Sequence, residues 1–259
     1  MNHVKSSDDV QLSIMMAVQM YDETMHQSDV LHYSITCDDV RSIVHETTDG
    51  RVVVAFRCYS ESLLARSIYL LSHRRRFLAP PMGHVHTGLL RQYTGIHRQV
   101  LHYLQSTYGL DKHIIVTGYS FGGALSVLFA AEVASTIPTM YVNCYPICAP
   151  RIGDKQFVMC TNDLSNLSIL RIQPVHDGVT PSAYQLFGFV HTPAVAYIYM
   201  GDIRSDKVAY LHMGGIRSIT KTNNTRNRID VRREPIPLYV TLLTNPVVWL
   251  RQRLWSRCR

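Results

Sequence analysis

Residues 113–133 carry the most restrictive pattern in the chain. His113-Ile114-Ile115-Val116-Thr117 is a short β-branched run, and Gly118-Tyr119-Ser120-Phe121-Gly122 follows it directly. Next comes Gly123-Ala124-Leu125-Ser126-Val127-Leu128-Phe129-Ala130-Ala131-Glu132-Val133, an apolar segment long enough for a helix. A strand, a G-x-S-x-G turn and a helix in immediate succession predict a nucleophile elbow. Such a turn strains the serine backbone, and side chains two positions before and after it would collide. Gly118 and Gly122 relieve that crowding. Ser120 then projects at a helix N-terminus, where the helix dipole and the N–H of Phe121 face a developing oxyanion. The competing reading is a glycine-rich turn with an incidental serine. It leaves the flanking strand and helix unexplained.

The surrounding pattern fits a sheet that such an elbow could serve. Residues 10–26 read as a helix, and residues 41–58 as two strands around Thr48-Asp49-Gly50. The second of these, Arg51 to Arg57, is nearly all apolar, as a buried strand would be. Residues 59–85 read as a long connection. Residues 89–107 form a helix with Leu90, Tyr93, Ile96, Val100, Leu101 and Leu104 on one stripe. Further strands are predicted at 140–147, 168–173 and 194–200, and a polar loop at 223–233. Alternating strands and helices predict an α/β fold with parallel strands. The expected organisation is a single domain over residues 1–259, with a basic C-terminal segment from about 223 to 259.

Composition narrows the function classes. Of the 259 residues, 46% are apolar and 17% charged, enough to fill a sizeable core. The net charge is +7, but eight arginines against two acids after residue 225 supply +6 of it. The body is nearly neutral, which argues against specific nucleic-acid binding by the folded domain. The six cysteines show neither C-x-x-C nor a zinc-module Cys/His spacing, so reduced thiols and no metal are expected. No apolar run reaches the length of a membrane span. Residues 1–9 lack a signal-like apolar core, so an intracellular, cytoplasmic protein is expected.

A serine nucleophile needs a base, and the base needs an orienting carboxylate. Behind an elbow of this kind the chain order is Ser, acid, His. Asp177, in Pro174-Val175-His176-Asp177-Gly178, follows the strand predicted at 168–173 and is the candidate acid. Asp154 and Asp163 compete with it but follow strands less directly.

Several separated segments together resemble the class 3 lipases, the fungal triacylglycerol lipase family. Val52 to Arg57 resembles the strand before that family's oxyanion segment, FRG(S/T). Val85-His86-Thr87-Gly88-Leu89 resembles VHxGF, and Val116 to Leu125 resembles VTGHSLGGAL. Ala149 to Asp154 with Phe157 resembles SPRVGNxxF, Arg171 to Pro181 resembles RxVxxxDxVPxLP, and Phe187 to His191 resembles FGFxH. The resemblance covers about residues 50–200. It implies an α/β-hydrolase fold, with a mostly parallel central sheet flanked by helices. It also implies a Ser-Asp-His triad, hydrolysis of acyl-lipid esters, and no cofactor or metal. Ser120 matches the nucleophile and Asp177 the acid. Tyr59 matches the oxyanion residue beside Phe121, with Cys58 in place of the family's glycine and tyrosine in place of its Ser/Thr.

The base has more than one candidate. His176 adjoins the acid on the same turn and is poorly placed to reach Ser120. His191 matches a histidine that is structural in the fungal enzymes and precedes the strand at 194–200. His212, with Gly214-Gly215 after it, has chain enough to return to the serine's side and is the favoured base. Cys58 reads as a small residue packed at a strand end rather than as a second nucleophile. Arg74-Arg75-Arg76 falls where a lid would sit. It and the segment from Val247 to Arg259 are candidates for peripheral contact with a lipid surface, or else solvated basic faces. A second functional reading is a catalytically inactive lipase-like fold that binds lipid or protein, motivated by Cys58-Tyr59 and the open choice of histidine.

Overall fold

The computed structural model describes residues 7–20, 32–58, 74–77, 82–174, 188–200, 209–212 and 236–238. The N-terminal helix α1 spans Ser7–Gln19. Strands β1 (His32–Cys37), β2 (Val40–Glu46) and β3 (Val52–Cys58) form an antiparallel meander. A two-stranded ribbon follows, β4 (Arg74–Arg76) with β5 (His84–His86), leading straight into α2 (Thr87–Tyr108). Then come β6 (His113–Tyr119), α3 (Phe121–Thr136), β7 (Tyr141–Ile147) and the short helix α4 (Lys155–Asn162). Strands β8 (Leu167–Ile169), β9 (Arg171–Pro174), β10 (Val195–Met200), β11 (Ala209–His212) and β12 (Ile236–Leu238) complete the main sheet.

Its order is β1-β2-β3-β6-β7-β9-β10-β11-β12, with β8 also on β7. The centre, β3-β6-β7-β9-β10, is parallel, as β8 is on β7, and both margins are antiparallel. The sequence predicts this parallel centre. Its strands are apolar on both sides because helices cover both faces. Val52, Val54, Phe56, Ile114, Val116 and Val142 join the core under α2 and α3. Val53, Ala55, Ile115, Tyr145 and Ile147 join the core under α1.

Some elements depart from expectation. The first helix begins at Ser7 and ends at Gln19, and residues 21–26 of the longer predicted helix lie outside the described residues. The connection predicted over 59–85 contains β4 and β5, whose three-residue strands are too short to show a period. The arginine run supplies β4, with Arg75 and Arg76 exposed. The single strand predicted at 168–173 is divided between β8 and β9, and the cause lies across the ladder. Val142 N–H donates to the Asn166 carbonyl and Cys148 N–H to that of Ile172. The same spacing would have residue 146 donate to Leu170, but that residue is Pro146, which has no N–H. The loop predicted at 223–233 and the segment 247–259 lie outside the described residues. Among the described residues, no helix is long and apolar enough to cross a membrane.

Polar side chains close the helix ends that face the core. His86 caps α2, its Nδ1 accepting from Leu89 N–H at 3.2 Å. Asn166, 8% exposed, donates its Nδ2 to the carbonyls of Ala134 (3.0 Å) and Met140 (2.9 Å), satisfying backbone around the end of α3. Asn166→Ala would leave those buried acceptors without their donor. The expected loss of unfolding free energy is about 1–3 kcal/mol, read from urea denaturation.

Candidate active site

The site is built where β6 turns into α3. Ser120 has φ 54° and ψ −119°, a left-handed backbone conformation that a non-glycine residue adopts at a cost. Two backbone bonds hold it there. Ser120 N–H donates to the Ile147 carbonyl at 2.9 Å, and its own carbonyl accepts from Ala124 N–H at 3.1 Å. The flanking glycines are sterically required. A Cβ on Gly118 would lie 2.4 Å from the carbonyl carbon of Gly122, and one on Gly122 would lie 2.2 Å from the carbonyl oxygen of Phe56. The elbow thus closes only because two backbones meet without side chains between them.

Ser120 is half-buried and stands at the N-terminus of α3, whose first residue is Phe121. The first turn of α3 carries no acidic residue. Its N-terminal partial positive charge is therefore not already neutralised by a carboxylate on the helix itself. From Gly122 to Ala134 only Glu132 is not buried, so packing fixes this helix end firmly against the sheet.

Parallel pairing points the strands that precede Tyr59 and Asp177 to the same edge of the sheet. Phe56 on β3 is level with Gly118, two residues before Ser120, and β3 ends two residues later at Cys58. Tyr59 comes next and lies outside the described residues. Cys58 is half-buried and packs against the α2–α3 core, as a small residue at a strand end would. β9 ends at Pro174, two strands from β6 and pointing the same way, three residues before Asp177. Asp177 and His176 also lie outside the described residues. The rival acids have structural tasks. Asp154 is the N-cap of α4, accepting from Phe157 N–H at 2.9 Å and pairing with His84 Nδ1 at 3.1 Å. Asp163 terminates the same helix.

The two later histidines differ in setting. His212 ends β11, paired with Tyr197, which is paired with Gln173. It is thus level with the carboxyl end of β9. It is four strand positions from β6, about 19 Å across the sheet at about 4.8 Å per strand, and this pairing does not bring it to Ser120. His191 lies before β10, at the starting end of that strand. Burial first, then the charges of Arg171 and Arg151, lower its pKa to about 3. The sequence shows His191 as one of three late histidines. Its two cationic neighbours, 20 and 40 residues away, become visible only in the fold. Among the described residues, no cluster of three or more His, Cys, Asp or Glu side chains could hold a metal ion.

Known proteins resemble this chain in sequence and in fold. The family model for lipase (class 3) matches residues 52–187, more than half of the chain. Two curated relatives from rice, both phospholipase A1-II 3, match over 83 residues. The protein of Oryza sativa subsp. japonica is 35% identical and that of subsp. indica 34%. Each match spans 27% of this chain and only 20% of the relative's length. Among solved structures, lipase II from Rhizopus niveus superposes with a TM-score of 0.60 at 19% identity, covering 82% of this chain and 88% of that one. A lipase from Rhizopus microsporus var. chinensis gives 0.60 at 18% identity, covering 82% and 78%. These structures share the α/β-hydrolase fold, and the match over residues 52–187 places the chain in the class 3 lipase family.

Proposed function

We propose that the chain is a serine hydrolase cleaving carboxylic esters of acyl lipids. The observation that carries this reading is the strained Ser120 at the N-terminus of α3 in a class 3 lipase sequence. Ser120 Oγ attacks the ester carbonyl while the base takes its proton. The backbone N–H groups of Phe121 and Tyr59 bind the oxyanion. The base returns the proton to the departing alcohol, and water then releases the acyl group from Ser120. Asp177 orients the base and stabilises its cation.

His212 is the proposed base. A base must become an imidazolium in the transition state, and a carboxylate beside it favours that charge. Protonation of His191 is penalised instead, first by burial and then by the charges of Arg171 and Arg151. For His212 to act on Ser120 directly, the segment 209–212 must leave its place beside β10 and cross above the carboxyl ends. The exposed arginines of β4 and the basic segment 223–259 suit contact with a lipid surface bearing negative charge. The Cys58-Tyr59 pair motivates a second reading, an inactive fold that binds lipid or protein without turnover.

An assay with p-nitrophenyl butyrate separates the two readings. Turnover by the purified protein, lost in Ser120→Ala together with labelling by a fluorophosphonate probe, is expected. Labelling that persists in Ser120→Ala removes this serine from the nucleophile role, and an unreactive wild type supports the binding module. His212→Ala should lower kcat by about 10³ or more, whereas His191→Ala should leave kcat within a few-fold and lower the thermal midpoint. Equal activity in His212→Ala and wild type would eliminate His212.

His191 also makes a prediction about acid stability. Its folded pKa of about 3 lies below the ordinary 6.5. Between those values the unfolded chain binds a proton that the folded chain refuses. The contribution of neutral His191 is therefore intact above about pH 6.5 and is lost as pH falls toward 3. His191→Gln should flatten the fall of the urea midpoint across this window. An unchanged slope would show that His191 does not titrate this way.

A further inference from the structure

We propose that Arg57 is a positioning residue for catalysis, clamping the end of the oxyanion strand to the last turn of α1. This rests on the hydrolase reading given above and names a residue outside the triad and the oxyanion hole.

β3 changes neighbours at its catalytic end. The β3–β6 ladder ends at Phe56 opposite Gly118, because Ser120 turns away and donates its N–H to Ile147 on β7. Arg57 and Cys58 are paired on the other side with Arg41 and Val40 of β2. These are the two residues that lead into Tyr59, whose backbone N–H must meet the oxyanion within a few tenths of an ångström. On the β6 side the strand end meets the start of α3 instead, where a Cβ on Gly122 would lie 3.2 Å from the Arg57 Cα.

The Arg57 side chain supplies a second hold. Strand alternation sends Val53, Ala55 and Arg57 to the face covered by α1. There Arg57 is 9% exposed, and its Nη1 donates to the carbonyl of Met20 at 2.7 Å. Met20 immediately follows α1, and its own N–H donates to Met16 at 3.1 Å. The acceptor is thus a carbonyl at a helix C-terminus, the negative end of the dipole, which suits a guanidinium. An apolar side chain would cover this face without the cost of burying a charge, so the arginine is spent on direction rather than on packing.

Two further ties hold α1, one just before β3 and one on β6. Asp9 pairs with Arg51 at 3.0 Å, just before β3 begins, and the Ser13 carbonyl accepts from Thr117 Oγ1 at 3.3 Å in mid-sheet. Arg51 and Arg57 thus tie the two ends of α1 to the two ends of β3, and Arg57 is the tie at the catalytic edge. The Asp9–Arg51 tie lies at the far edge. That contrast separates positioning from stability.

The test uses the full chain, p-nitrophenyl butyrate and the fluorophosphonate probe. Arg57→Met should lower kcat about tenfold or more while KM stays within about twofold, and should slow labelling of Ser120 in parallel. Arg57→Lys, which keeps a charged donor, should recover part of the loss. Arg51→Met, which cuts the far tie, should lower the thermal midpoint yet leave kcat of the folded protein within about twofold. If Arg57→Met does not fold, Arg57→Gln carries the same comparison. A wild-type kcat in the Arg57 variant, or equal kcat losses at Arg57 and Arg51, overturns the proposal while leaving the hydrolase reading intact. A wild type that neither turns over ester nor takes the probe overturns that reading, and the Arg57 proposal with it.

Discussion

The carbonyl of Phe56 governs how this molecule can be put together. It sits 2.2 Å from where a Cβ on Gly122 would stand and 2.7 Å from where one on Gly118 would stand. β3 and the start of α3 can meet only as bare backbone. That contact sets the angle at which the chain leaves β6, which in turn strains Ser120. Holding a non-glycine residue in such a conformation costs of order 1–3 kcal/mol. The compensation comes from α3, whose residues from Gly122 to Ala131 are buried without exception. A helix that is apolar on every side would be out of place on a surface. Here it lies between the sheet and α2, and its burial holds the serine backbone in a conformation the residue would not choose.

The two faces of the sheet are held in different ways. The α2–α3 face is predominantly hydrophobic packing, with Phe56 against Phe129 and Phe77 against Tyr93 and Phe157. Among its buried polar contacts, the Tyr93 hydroxyl donates to Glu132 on α3 and the Tyr93 ring stacks on His97. Burial and the Glu132 charge push the Tyr93 phenol well above its ordinary range, so it remains a donor. The α1 face has a smaller apolar cluster and relies on polar ties at Asp9, Ser13 and Met20. Apolar packing tolerates small slides, whereas a charge-assisted hydrogen bond at 2.7 Å specifies a position. The division places the directional contacts on the helix that reaches the catalytic edge.

Features that depend on neighbours in sequence were legible, and features that depend on neighbours in space were not. The elbow is local: strand, turn glycines and helix occupy one continuous stretch, and the structure adds the collision partners. The α2 stripe was readable for the same reason, with Tyr93, Ile96, Val100 and Leu104 buried and Leu90 and Leu101 packed beside them. The ribbon of β4 and β5 escaped because three residues cannot display a period. The break at Leu170 escaped because its cause, Pro146, sits 24 positions earlier on another strand. Asp154 seemed a rival acid because a helix of eight residues, Lys155–Asn162, gives too weak a periodic signal to mark its cap. Ser120 was therefore identifiable from its own surroundings. Tyr59, Asp177 and His212 rest on family resemblance and strand direction.

The histidines show what the fold adds to such a resemblance. Chain order admits any histidine after the acid, and reach along the chain admits several. Electrostatics asks instead which imidazole can gain a proton at the moment the serine loses one. A carboxylate nearby lowers the energy of the imidazolium, and a guanidinium raises it. His191 sits with Arg171, which begins β9, and Arg151, which follows β7, and partial burial deprives it of the water that would screen them. Burial first, and then these charges, favour the neutral form of His191, which is the ground for proposing His212 over it.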